Sequence, residues 1–508
     1  MGDLIITRTE LVKLINSIDL GAPVAEHDTV LYEARIETTA FQDLFRDRVD
    51  LIPGTKGSGK TALYRIVSDF LRPIMLKTRT VILTGVEATG DPVFQAFKKR
   101  FEELSEAEFE NFWRIYFIAL LLERFVKNDE YKEMLFRAEA EVKDFVARCR
   151  KAKIPEANHS RSFKDIVEGV LRCIRLKVGT AAPSAEGMSY SVVEVEPAEP
   201  VDGKGDKQVE VTPVFLNDLH DSILKVLKKA GVKIWIMLDR LDEVFPRRTK
   251  LERKALRALL HTTRSFPTAS IRIKIFLRDD IFENVLVGHE GFTALTHIEA
   301  RRSPTLCWSA KDIQMLIVKR FAANSRVRSF FHIDKRRIEQ NDMEHAVEVF
   351  TKMFPGQVVP GKRQSETLDW LYYHCADGRG VVTPRDVIDL LEFALKAQVD
   401  NLNRGVEKPE CLIGALAFKE AFGELSKKKC RTYLVAEFPE FWPDIKKFEN
   451  SKAEHNEESL AKLLGSKWQE KVEDLLALGF LQHKPKSKTY VVPFIFRSGM
   501  SLRQGKAF

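Results

Sequence analysis

Residues 46–65 read RDRVDLIPGTKGSGKTALYR, and no other stretch of the chain constrains its fold as tightly. A short apolar run (Val49, Leu51, Ile52) leads into Gly54, Thr55, Lys56, Gly57, Ser58, Gly59, Lys60 and Thr61, which open a helical segment over 62–71. Strand, glycine-rich loop and helix in the pattern G-x-x-x-x-G-K-[ST] predict a loop that wraps a phosphate. The three glycines let backbone N–H groups converge on the anion, and the start of the helix adds partial positive charge. Lys60 can reach the β- and γ-phosphates as a point charge, while the Thr61 hydroxyl offers Mg2+ an oxygen. A glycine turn that merely precedes a helix is the plainer alternative, and the complete motif with both flanks outweighs it.

Hydrolysis at such a loop needs acidic residues at the end of a second strand, and KIWIMLDRLDEVF (233–245) supplies them. Its continuous apolar run, 234–238, is the pattern of a strand buried on both faces of a parallel sheet. Asp239 ends that run in a position to hold Mg2+, and Asp242 and Glu243 are the candidates for polarising the attacking water, Glu243 first. A solvated acidic turn after a buried strand is the bland reading, weakened by the phosphate loop upstream. A third strand, IRIKIFL (271–277), alternates apolar and basic residues and ends on Arg278. An arginine there would face the γ-phosphate at the carboxyl edge of the sheet, unless Asp279 or Asp280 pairs with it.

With TVILTGV (80–86) and TLCW (305–308), five strands alternate with helices: 49–53, 80–86, 233–238, 271–277 and 305–308. The expected fold class is α/β: a P-loop NTPase, its parallel sheet flanked by helices on both faces. The order matches the additional-strand class of P-loop ATPases, in which a strand intervenes between the Walker A and Walker B strands. No NKxD motif argues for GTP, so ATP is the expected nucleotide.

The connection over about 100–228 is too long for an ordinary crossover. It reads as a helical insertion, with Phe109, Phe112, Trp113, Tyr116, Phe117, Leu120 and Leu121 at helical spacing over 105–150 and a second helix over 162–176. The aromatic stripe reads as core packing rather than a cofactor box. A hairpin is expected from SYSVVEVEP and KQVEVTPVF around PVDGKGDK.

From Ser309 the pattern is helical, with further helices over 342–353, 365–375 and 384–399, and suits a lid over the nucleotide. In GRGVVTPRDVIDLL, Thr383 is placed as an N-cap, Pro384 opens the helix and Arg385 lies in its first turn. A cation is unfavourable there unless an anion is near, so Arg385 is a candidate phosphate ligand, or else a surface arginine answered by Asp386 or Asp389. The last hundred residues give helices over 412–425, 457–465 and 467–478, then strand, basic turn and strand, the pattern of a winged helix. The expected domains are therefore 1–45 (lead-in), 46–308 (ATPase core with the insertion), 309–405 (helical lid) and 406–508 (winged helix).

Lys plus Arg exceed Asp plus Glu by 81 to 73, a weak net charge of +8. It is partly concentrated at the end, where no acidic residue follows Asp474 while Lys484, Lys486, Lys488, Arg497, Arg503 and Lys506 do. A wing carrying Lys484, Lys486 and Lys488 could contact DNA phosphates or serve an intramolecular regulatory role. The six cysteines lie far apart with no CxxC pair, so neither a zinc ribbon nor a disulfide framework is written, and a reducing cytoplasm is the expected setting. The most apolar stretch, 115–122, is too short to span a membrane, and MGDLIITRTE lacks a signal-peptide profile.

Together GTKGSGKTALYR, the upstream PVAEHDTVLYEA, IMLDRLDEVF, FLRDDIF, TPRDVIDLL and YVVPFIFRSGM resemble a family of bacterial P-loop ATPases related to STAND and AAA+ proteins, over roughly residues 20–505. The resemblance implies an ATP-dependent switch, commonly a homo-oligomer and frequently linked to defence against phage. STAND proteins often end the strand after Walker B with an arginine, as at Arg278, and AAA+ proteins often open a lid helix with one, as at Arg385. DRLDE in place of a simple DE pair resembles the NACHT-like form and leaves both Asp242 and Glu243 open. Arg247, Arg248, Arg301 and Arg302 are all candidates for an arginine acting in trans, or plain surface charge. Without a nuclease, protease, TIR or deaminase motif, any killing chemistry would belong to a separate effector protein.

Overall fold

The computed structural model describes residues 6–85, 97–127, 133–154, 163–173, 213–244, 249–283, 292, 295–408 and 410–508. The expected hairpin over 189–215 lies outside them except for its last three residues, which open a helix, and Arg247 and Arg248 lie outside them as well. The chain packs as two compact units. One comprises 43–53 and 67–304; the other comprises 1–42, 54–66 and 305–508.

The first unit is mixed α/β around a four-stranded, all-parallel sheet. Its strands are β1 (Leu51–Gly54), β2 (Thr80–Gly85), β3 (Lys233–Leu238) and β4 (Ile271–Arg278), side by side in the order β1-β4-β3-β2. Register runs from Thr80↔Lys233 to Gly85↔Leu238, and from Ile234↔Ile271 to Leu238↔Ile275. Nearly every strand residue is buried, as continuous apolar runs require when both faces are covered. The expected fifth strand over 305–308 does not form: residues 302 and 306 make only isolated bridges, Leu51↔Arg302 and Gly54↔Leu306. Pro53 and Pro304 lie between those bridges, and neither has an N–H for a ladder.

Helices Glu106–Lys127 and Lys250–Ser265 pack against each other in this unit, Trp113 donating its indole N–H to the Ala255 carbonyl at 2.9 Å. Phe109, Phe112, Trp113, Tyr116 and Phe117 are buried with rings in edge and stacked contact, so the stripe is core. Lys274, one of the basic residues that alternate along β4, is fully buried. Its ammonium donates to Asp47 (2.6 Å), Asp50 (2.8 Å) and the Val49 carbonyl (2.7 Å), and lies 4.5 Å from the centre of the Trp235 ring. This pins the residues that lead into β1 onto β4.

The second unit holds two apolar cores. One gathers the helices Arg8–Ile15, Ala310–Ala323, Met343–Met353, Thr367–Cys375, Pro384–Arg404 and Ala415–Lys429. A buried ion pair, Asp28–Arg320 at 2.6 Å, ties the N-terminal segment to these helices beside Gly21 at φ +76°. The other core lies within 430–500. There β5 (Lys452–His455), helices Glu457–Leu464 and Trp468–Ala477, and the antiparallel hairpin β6 (Gln482–Lys484) and β7 (Thr489–Val491) follow in order. With β8 (Arg503–Lys506) they form a second sheet, β6-β7-β5-β8.

Candidate functional site

The glycine-rich loop, in the second unit, turns through two left-handed glycines, Gly57 (φ +86°) and Gly59 (φ +98°), conformations that L side chains rarely adopt. Gly54 is required for a different reason: a Cβ there would come within 2.5 Å of Ser58 Oγ. Helix Lys60–Arg65 starts directly after Gly59 and continues as a π-helical turn, Ile66–Phe70. Lys60 folds back over the loop, its ammonium donating to the carbonyls of Gly54 (2.8 Å) and Thr55 (2.9 Å). The hydroxyl oxygens of Thr55 and Ser58 are buried with no hydrogen-bond partner. Such groups cost free energy unless something polar meets them.

Three supports from this unit surround the loop. Trp308 donates its indole N–H to the Ser58 carbonyl at 2.8 Å, and Tyr372 holds the Trp308 carbonyl at 2.9 Å. Thr383 and Arg385 crowd Gly57, where a Cβ would lie 3.2 Å from Thr383 Oγ1 and 3.3 Å from Arg385 Cβ. Lys56 forms an ion pair with Glu437. The N-terminal segment joins in through its carbonyls: Arg385 donates to Pro23 at 3.3 Å and Arg65 to Ala25.

Thr383 caps helix Pro384–Arg404 as the sequence predicts, accepting from the Asp386 N–H and donating to its carboxylate. Asp386 and Asp389 take Lys429 and Lys428 respectively, each at 2.7 Å, and Arg385 bonds to Pro23. Burial raises the Asp389 carboxyl above its ordinary range while Lys428 pulls it back.

The acidic residues belong to the first unit. Asp239 is buried directly after β3, and Arg240 follows at φ +57° into the short helix Leu241–Val244. Asp242 and Glu243 occupy its first turn, with Glu243 half exposed and 3.9 Å from Arg240. Arg278 closes β4, buried, with a two-pronged contact to Asp280 (2.9 and 2.8 Å) and a third to Asp242 at 3.4 Å. Arg301 is engaged by Asp47 and Asp50, and Arg302 by Glu283 and Glu299. At the C-terminal end Lys484, Lys486 and Lys488 are exposed around the β6–β7 turn. Arg497 is withdrawn, its guanidinium 3.9 Å from the centre of the Phe494 ring and bonded to the Val492 carbonyl.

Sequence reasoning did not single out Trp308 or Glu437. Trp308 stood at the end of an expected strand, which hid its role, and nothing local marks Glu437 as a neighbour of Lys56. Among the described residues no helix is long and apolar enough to cross a membrane. The chain matches no protein-family model, and no curated protein is similar to it.

Proposed function

We propose that the chain is a Mg2+-dependent ATPase of the P-loop class, a nucleotide-driven switch whose site is centred on residues 54–61. The observation that carries this reading is the pair of buried, unpartnered hydroxyls, Thr55 and Ser58, in a loop turned by Gly57 and Gly59 and overlaid by Lys60. Supporting it is the sheet order β1-β4-β3-β2, in which β4 intervenes between the strand leading into the loop and the strand ending on Asp239.

In this reading Lys60 exchanges the Gly54 and Thr55 carbonyls for phosphate oxygens, and the N–H groups around Gly57 and Gly59 hold the rest of the anion. Thr61 and Asp239 would hold Mg2+, which neutralises charge on the phosphates when bound. Glu243, half exposed and 3.9 Å from Arg240, suits the orientation of water better than the less exposed Asp242, which Arg278 contacts at 3.4 Å. Arg278 already carries two carboxylates, so its approach to a γ-phosphate would require trading Asp280 for it.

Lys60→Ala tests the assignment. Loss of nucleotide affinity and turnover is expected; full retention of both would overturn it. Glu243→Gln should abolish turnover while leaving binding intact, and Asp242→Asn should leave turnover measurable. That the nucleotide state governs self-assembly, and that the switch serves antiviral defence through a separate effector, rest on the family resemblance. Sizing the full chain with and without ATP addresses the first of these. A second reading, a nucleotide-gated DNA-binding regulator, is favoured by the exposure of Lys484, Lys486 and Lys488 on a hairpin. Helix, strand, two helices and two strands there follow the winged-helix order.

A further inference from the structure

Helix Ala415–Lys429 passes without a break into a π-helical turn, Cys430–Val435, and two residues later the chain reaches Glu437. π-turns inside helices recur at functional sites because they re-aim the side chains around them. Here Lys429, directly before the turn, and Glu437, two residues after it, are both charged, and both reach elements that touch the glycine-rich loop. Before the turn, Lys429 pairs at 2.7 Å with Asp386, which Thr383 also bonds, and Thr383 is the residue crowding Gly57. After the turn, Glu437 pairs with Lys56 in the loop itself.

Neither contact is a loose surface pair. The side chains of Lys429, Asp386 and Glu437 are 11%, 6% and 7% exposed, so each has given up most of its water, while Lys56, at 34%, keeps one side open to solvent. Pairs of this kind stabilise a fold poorly compared with apolar packing, and their best-attested use is to hold a register or a switch. Glu437 brings a carboxylate, an anion with two oxygens, to a lysine of an anion-binding loop. An incoming phosphate would compete for the same ammonium and would repel the carboxylate if both stayed.

We infer that Glu437 is an autoinhibitory latch: its carboxylate occupies Lys56 in the resting chain, and nucleotide phosphate displaces it, releasing the segment after the π-turn. This rests on the nucleotide reading above and adds to it a route by which the bound state reaches the C-terminal core. Lys429–Asp386 would remain closed during the exchange, making the π-turn the point of movement.

The test uses the full chain and ATP with Mg2+. Glu437→Gln keeps the shape and removes the charge, and should bind ATP about tenfold more tightly than the parent, the size set by one charge-assisted contact. Glu424→Gln, which removes an exposed carboxylate from the same helix, should leave affinity unchanged. In the parent, amide exchange over 434–440 should quicken when ATP binds. Equal or weaker binding by Glu437→Gln, or exchange over 434–440 that ATP leaves unaltered, would overturn the latch. Absence of ATP binding by parent and Glu437→Gln alike would instead overturn the nucleotide reading, and the latch with it.

Discussion

The indole N–H of Trp308 donates to the carbonyl oxygen of Ser58 at 2.8 Å, between two residues 250 positions apart. Ser58 lies between the left-handed Gly57 and Gly59, so this bond fixes the peptide plane on which the following N–H groups depend. Trp308→Phe keeps a ring beside Gly59 and removes the donor. If the loop binds ATP as proposed, affinity measured by calorimetry should fall by roughly fivefold, the equivalent of one net hydrogen bond of about 1 kcal/mol.

Lys274→Met leaves Asp47 and Asp50 facing each other with only Arg301 and Arg272 to answer them. Breaking a buried pair from one side costs about 3–5 kcal/mol, and urea unfolding should show a loss of that order. A companion change, Asp47→Asn with Lys274→Met, should recover part of it, since one of the stranded charges is gone.

His374 is stacked between Trp370 (4.1 Å) and Phe494 (4.4 Å), and its Nδ1 faces the Trp370 carbonyl at 2.8 Å. Burial lowers its pKa to about 4, with that carbonyl opposing the shift and Arg497 adding to it. The unfolded chain takes up a proton below about pH 6.5 and the folded chain does not until about pH 4. Stability should therefore be intact above pH 6.5 and decline between there and pH 4, by up to roughly 3 kcal/mol. His374→Phe should flatten that part of a plot of melting temperature against pH.

If the hairpin of the C-terminal core contacts DNA, replacing Lys484, Lys486 and Lys488 together by alanine should reduce the salt dependence of binding. The slope of log K against log salt should fall by about 2.7, three phosphate contacts at 0.9 each. Arg497→Ala should leave that slope unaltered, because its guanidinium is already spent on Phe494 and Val492. DNA binding indifferent to the triple change would remove this reading.

The glycine-rich loop was legible because backbone conformation is written in residue type: only glycine is at ease at φ +86° and +98°. The strands 80–85, 233–238 and 271–278 were legible for a related reason, since runs of Val, Ile and Leu fit few other places than a doubly covered sheet. Lys274 shows where such reading stops. Nothing beside a lysine among isoleucines marks its partners, Asp47 and Asp50, which lie more than 220 residues earlier. Glu437 is the same case within the site, 381 residues from Lys56. The missing fifth strand had a local cause, two prolines without N–H groups, that apolar content alone obscured.

The second unit draws on both ends of the chain, as the bond from Asp28 to Arg320 across 292 residues makes plain. Synthesis runs from the amino end, so residues 43–53 and 67–304 leave the ribosome while most of that unit does not yet exist. The glycine-rich loop emerges early but acquires Trp308, Thr383 and Glu437 only as the later half of the chain is made. A nascent chain thus carries the loop's glycines long before the residues that pack against them, and the loop can reach its packed form only once Glu437 has been made.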